Sequence, residues 1–187
     1  MIYILVALPT ELPEEFQNNL DTAKYKLWFT GVGKVNAAIY AALAAIQKDC
    51  DAIINFGTAG VLEHELAGKL HRIGVVRQRD MDARPQAELG VTPFEQGELS
   101  GDIALDGDAV LSTGDNFVMS TPELSSQLVD MEGYAIAKVA AKFNKKCILM
   151  KYGSDFADET AADDWQENQA KGADLFIDWL TTHGQNL

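Results

Sequence analysis

The chain opens on an unbroken apolar run, residues 2–8 (IYILVAL). A run of strand length without polar alternation fits a strand covered on both faces, and such strands lie in sheets with helices on either side. The pattern recurs. Residues 26–30 (KLWFT), 52–56 (AIINF), 73–77 (IGVVR), 109–113 (AVLST) and 147–152 (CILMKY) read as strands, and helices are predicted over about 34–48, 131–143 and 163–182. Strands alternating with helices give an α/β fold in three layers, with a mainly parallel or mixed central sheet flanked by helices.

Within the first helix, Val35, Ile39, Leu43 and Ile46 recur at helical spacing among alanines and define its predicted apolar face. Ile136, Val139, Ala140 and Phe143 do the same for the second, and Trp165, Phe176, Trp179 and Leu180 for the third. Residues 78–108 are polar and rich in Gly, Pro and Asp, which predicts a long loop with one or two short strands. No repeat or interdomain linker interrupts the 187 residues, so one domain spanning 1–187 is expected.

Charge narrows the partners. With 15 basic and 28 acidic residues the net charge is −13, which repels nucleic acid and anionic membranes but not a neutral small molecule. The start MIYILVALP lacks a basic leader, and no apolar run approaches the roughly 18 residues that span a bilayer. Cys50 and Cys147 show neither metal-site nor disulfide-framework spacing and read as buried reduced thiols, which points to the cytoplasm. His64, His71 and His183 are scattered without metal-ligand spacing.

In sheets of this kind ligands bind at the carboxyl ends of the strands. Glu11 follows the first strand, the turn Gly31-Val32-Gly33 the second, Gly57-Thr58-Ala59-Gly60 the third, Asp115 and Phe117 the fifth, and Asp155 the last. Taken singly each has an ordinary explanation. Glu11 fits a solvated first-turn acid, as Glu14 and Glu15 do, and Ser154 and Asp155 are both good helix caps. Asp130 and Glu132 flank Met131 at the head of an alanine-rich helix. One of these two acids is expected to point inward, where a carboxylate needs partners. GVG is not a dinucleotide fingerprint, and neither a phosphate-binding loop nor a GxSxG elbow is present.

Together the motifs ALPTEL (7–12), GVGKVNAA (31–38), INFGTAG (54–60), STGDNF (112–117), VDMEGYAIA (129–137) and GSDFAD (153–158) make the chain resemble the nucleoside phosphorylase/nucleosidase superfamily. The resemblance is strongest to nucleosidases related to methylthioadenosine/S-adenosylhomocysteine nucleosidase. It implies a purine nucleosidase acting on a 5′-modified adenosine-type nucleoside without metal or cofactor. Glu11 would activate water, Glu132 and Met131 would hold the ribose, and Asp155, steadied by Ser154, would protonate the base. Phe117 would stack on the purine, with Asn116 and Val118 along its edge, Thr58 near the sugar and Trp165 closing the pocket. Leu8, Ala59, Gly60, Lys151 and Ala157 complete the implied binding set, and Phe94 is the candidate for an apolar residue lent by the second subunit of a homodimer.

The chemistry suits these residue types. Base departure leaves an oxocarbenium-like sugar, which carboxylates stabilise, and a purine anion leaves more readily when protonated. Two rivals remain at this stage. A phosphorylase would need arginine forks or clustered amides for phosphate, and Arg72, Arg77, Arg79 and Arg84 all lie in one segment away from the glycine turns. A non-catalytic nucleoside-binding protein would keep the fold alone.

Overall fold

A computed structural model describes residues 1–95, 97, 99–156 and 171–184, the side chains of Asp155 and Phe156 excepted. Eight strands form one mixed sheet. They are β1 (Ile2–Val6), β2 (Tyr25–Phe29), β3 (Ala52–Val61), β4 (Leu70–Gln78), β5 (Ile103–Ala104), β6 (Ala109–Thr113), β7 (Leu128–Asp130) and β8 (Lys146–Phe156). Among the described residues the helices are α1 (Glu14–Asn19), α2 (Lys34–Ala45), α3 (Gly133–Lys142) and α4 (Ala173–His183).

Strand β1 runs parallel between β2 and β3, and its side chains are buried on both faces as the apolar run requires. Tyr3 and Leu5 join α2 and α3 in one core, while Ile2, Ile4 and Val6 join Phe56, Phe176 and Leu180 in the other. Phe176 of α4 stacks on Phe56 of β3 at 4.4 Å between ring centroids. Helices thus cover both faces of a mixed sheet.

The sheet also closes on itself. β3 pairs with β8, β8 with β4, β4 with β6, β6 with β7, and β7 returns to β3. Closure leaves β3 and β8 longer than their apolar runs predict. The segment Gly57-Thr58-Ala59-Gly60, expected as a turn, continues β3 to Val61, because Gly57–Val61 pair with Lys151–Phe156 of β8. A bulge at Ala59/Gly60 skips Ser154, so that Gly60 lies opposite Asp155.

Helix α2 reverses its predicted orientation. Ala37, Ala41, Ala44 and Ala45 face the core, whereas Val35, Ile39, Leu43 and Ile46 are exposed. The alanines win because α2 packs closely on α3 and the sheet, where only methyl groups fit. On α3, Ile136 and Ala140 are buried as expected, but Phe143 ends the helix 45% exposed. No helix among the described residues is long and apolar enough to cross a membrane.

Candidate active site

The carboxyl ends of β1, β2, β4, β6 and β7 and the late part of β3 converge on a cavity of about 360 Å³. This volume is of the size that holds a nucleoside-sized ligand. Of the residues singled out from sequence, Leu8, Glu11, Thr58, Ala59, Gly60, Asn116, Phe117, Val118, Met131 and Glu132 line it.

Glu11 ends the short 3-10 turn Pro9–Glu11 that follows β1, and is 2% exposed. Its Oε1 accepts the Thr58 amide at 2.9 Å and the Thr58 hydroxyl at 3.2 Å, while Oε2 accepts the Leu8 amide at 3.1 Å. Burial raises its pKa, and the amides and the Lys151 ammonium oppose that rise. Gly57 makes this approach possible: a Cβ there would lie 3.2 Å from Glu11 Oε1 and 3.5 Å from Lys151 Nζ.

Glu132 caps the head of α3, and its Oε1 accepts the Gly33 amide at 2.8 Å from the turn before α2. Burial, then the charge of Asp130, pushes it up to about 7. Asp130 is buried as well. Both acids point inward because β7 ends at Asp130 and the chain turns into α3 between them. Asp130 Oδ2 pairs with Lys151 Nζ at 2.9 Å and accepts the Gly133 amide at 2.7 Å, and Oδ1 accepts the Thr113 hydroxyl. Burial would raise the Asp130 pKa, but Lys151 and these donors hold it below the usual carboxylate range. Burial likewise disfavours the Lys151 ammonium, yet Asp130, Glu132 and Glu11 keep its pKa raised.

Lys151 does not line the cavity; it lies behind the wall, paired with Asp130. Ser154 is buried in β8, whose backbone brings Asp155 into register with cavity-lining Gly60. The Asp155 side chain, Ala157 and Trp165 lie outside the described residues. Phe94 is away from the cavity, 91% exposed, with a left-handed φ of 62°. Among the described residues no group of three His, Cys, Asp or Glu side chains is arranged to hold a metal ion.

The phosphorylase superfamily model matches residues 14–90 and 107–182, most of the chain. The chain belongs to the phosphorylase superfamily. It is 30% identical to a 5′-methylthioadenosine/S-adenosylhomocysteine nucleosidase of Halalkalibacterium halodurans, over 93% of this chain and 82% of that protein. Among solved structures, the Helicobacter pylori nucleosidase of the same description, with butyl-thio-DADMe-Immucillin-A, is similar at a TM-score of 0.87 and 22% identity, covering 100% of this chain and 98% of that one. Futalosine hydrolase of Helicobacter pylori gives 0.88 at 20% identity, covering 100% and 97%. At these identities the two structures show a shared fold.

Within this superfamily fold the cavity also holds residues outside the binding set that the resemblance implies: Ala7, Val32, Arg79, Val129 and Asp130. Arg79 lines the cavity although its arginine-bearing segment lies away from the glycine turns in sequence. It follows directly on β4 and is 8% exposed, with a guanidinium that donates only to backbone carbonyls among the described residues. Its proximity could not be read from spacing, because β4 reaches the cavity only through its pairing with β6 and β8.

Proposed function

We propose that this protein is a purine nucleosidase that hydrolyses the N-glycosidic bond of 5′-modified adenosines, releasing adenine and the free sugar. The observation that carries this reading is Glu11, a buried carboxylate on the cavity wall whose two oxygens are fixed by Thr58 and Leu8 and whose pKa is raised. A carboxylate so held is aligned and basic enough to take a proton from an attacking water. Glu132 accepts hydrogen bonds from the ribose hydroxyls and Met131 packs on the sugar. Phe117 stacks on the base, with Asn116 and Val118 along its edge and Leu8, Ala59 and Gly60 completing the wall. Asp155 protonates the imidazole ring of the leaving base, steadied by Ser154. That assignment rests on the motif GSDFAD and on the register that sets Asp155 opposite Gly60.

Water, and not phosphate, is the acceptor. Glu11, Asp130 and Glu132 surround a single ammonium, Lys151, so the centre favours a cationic sugar and disfavours a phosphate anion. Arg79 offers no phosphate fork either, since both of its Nη atoms already donate twice to carbonyls.

The chain works as one catalytic domain in a homodimer in the cytoplasm. Val32 at the cavity mouth continues into the exposed stripe Val35, Ile39, Leu43 and Ile46 along α2, an apolar face that a second copy would cover. Next to exposed Phe94, Glu95 is tied to Lys138 and Lys142 of α3 at 2.6 and 2.9 Å, which holds the strained Phe94 outward for the partner's pocket. Both cysteines are free thiols, in keeping with a reducing compartment.

A panel of nucleosides assayed for base release tests the substrate class. 5′-Methylthioadenosine is expected to be cleaved faster than adenosine or inosine, and Glu11→Gln is expected to abolish cleavage while adenine still binds. Wild-type rates in that variant would remove the role of Glu11.

A further inference from the structure

We propose that Arg79 and Asp80 act as a clamp that fixes the base-binding loop against the sugar-binding turn, and so set the affinity of the pocket for the purine. The inference rests on the nucleosidase reading above but concerns residues outside its chemistry.

The loop after β6 carries Asn116, Phe117 and Val118, and Asp115 and Asn116 make no backbone–backbone hydrogen bond among the described residues. Side chains hold this stretch instead. Arg79 Nη2 donates to the Gly114 carbonyl at 3.1 Å and the Asn116 carbonyl at 2.7 Å. Its Nη1 donates to the Ser112 carbonyl at 2.8 Å and the Asp130 carbonyl at 2.7 Å. One planar fork therefore joins the base wall to the strand end that leads into Met131 and Glu132. Asp80 supplies the complementary half: its Oδ2 accepts the Asp115 amide at 2.9 Å and its Oδ1 takes the Lys34 ammonium at 2.6 Å. The first residue grips acceptors and the second grips a donor of the same loop.

Gly114 is shaped for this contact. A Cβ there would lie 3.0 Å from Arg79 Cζ and 3.1 Å from its Cγ and Nε, so a side chain would push the fork away from its carbonyls. Lysine cannot replace the fork, because donors on one nitrogen cannot span four carbonyls. Arg79 is thus a positioning residue: it acts on the purine through the backbone it holds.

The test measures the Kd of free adenine by calorimetry, KM and kcat for 5′-methylthioadenosine, and the thermal midpoint. The proteins are wild type, Arg79→Lys, Arg79→Met, Asp80→Ala and Gly114→Ala. Both Arg79 variants are expected to weaken adenine roughly tenfold or more, with KM rising in step. Asp80→Ala and Gly114→Ala are expected to weaken it by about threefold, with kcat changed less than adenine affinity. A merely structural role would lower the thermal midpoint while leaving adenine affinity intact in the folded protein, and that result overturns the clamp. Should the Arg79 variants fail to fold, the variants at exposed Asp80 and at buried Gly114 carry the test, and unchanged adenine Kd in both overturns it. A wild-type protein that binds no adenine would overturn the nucleosidase reading and the clamp together, an outcome distinct from wild-type binding with unaffected variants.

Discussion

Asp130 and Glu132 are two residues apart and both buried, yet the protein treats them in opposite ways. Asp130 is surrounded by the Lys151 ammonium, the Thr113 hydroxyl and the Gly133 amide, which together hold it ionised. Glu132 receives one amide, from Gly33, faces the cavity and titrates near 7. The first is saturated with partners and holds the wall together. The second is left short of donors, as a group must be if ligand hydroxyls are to supply the rest. The environment assigns the two acids different work.

The largest effect is expected from breaking the saturated member. Asp130→Asn leaves Lys151 without its counter-ion and should destabilise the fold by roughly 3–5 kcal/mol in denaturant unfolding. The same change removes the charge that raises Glu132 after burial, so the Glu132 pKa should fall from about 7. Carboxyl NMR would show it, and an unmoved Glu132 would mean that the two acids are independent.

The pH dependence of stability sharpens the contrast further. A carboxyl whose folded pKa lies above the ordinary glutamate value of 4.5 favours the folded state while protonated. That contribution is full below 4.5 and is lost as pH rises through about 7. Wild type should therefore lose on the order of 3 kcal/mol across this window through Glu132. Glu132→Gln should flatten the fall, whereas any contribution from Asp130, whose pKa is lowered, lies on the acid side of 3.8. An equal slope in wild type and Glu132→Gln would contradict the assignment. In the same variant kcat/KM should drop by about 10²-fold, equivalent to about 2.7 kcal/mol of transition-state stabilisation.

How much of this was legible in the sequence differs by element. Strand β1 was plain, because burial on both faces writes itself as an unbroken apolar run. The convergence of Glu11, Thr58 and Phe117 follows from their positions at strand ends, Glu132 enters only through the family resemblance, and the cavity gathers all four. Strand β7 was missed, since three residues are too short to show a period. The late part of β3 reads as a turn because its glycines look like punctuation. Gly57 instead leaves room for the Glu11 carboxylate on the cavity wall and for Lys151 behind it. Arg79 carried no local signal: its importance arises from carbonyls 33 to 51 residues away. Helix α2 misled because its larger apolar residues suggest the core, while close helix packing selects alanine.

That helix supplies the smallest effect on the fold. Its outer face should tolerate change that its inner face does not. Ile39→Ser, at a site 51% exposed, should alter monomer stability by no more than about 0.5 kcal/mol yet weaken dimerisation in sedimentation velocity. Ala41→Leu, overpacking the buried face, should lose roughly 1–3 kcal/mol. Equal effects at the two positions would sink the distinction between a core face and the face proposed to dimerise.

The most direct measurement follows the sugar. Purified protein is given 5′-methylthioadenosine with and without inorganic phosphate, and the sugar product is identified by mass spectrometry. The expected result is adenine with 5-methylthioribose carrying a free anomeric hydroxyl under both conditions, at the same rate. Formation of the sugar 1-phosphate, or cleavage only when phosphate is present, would contradict the water-activating role of Glu11.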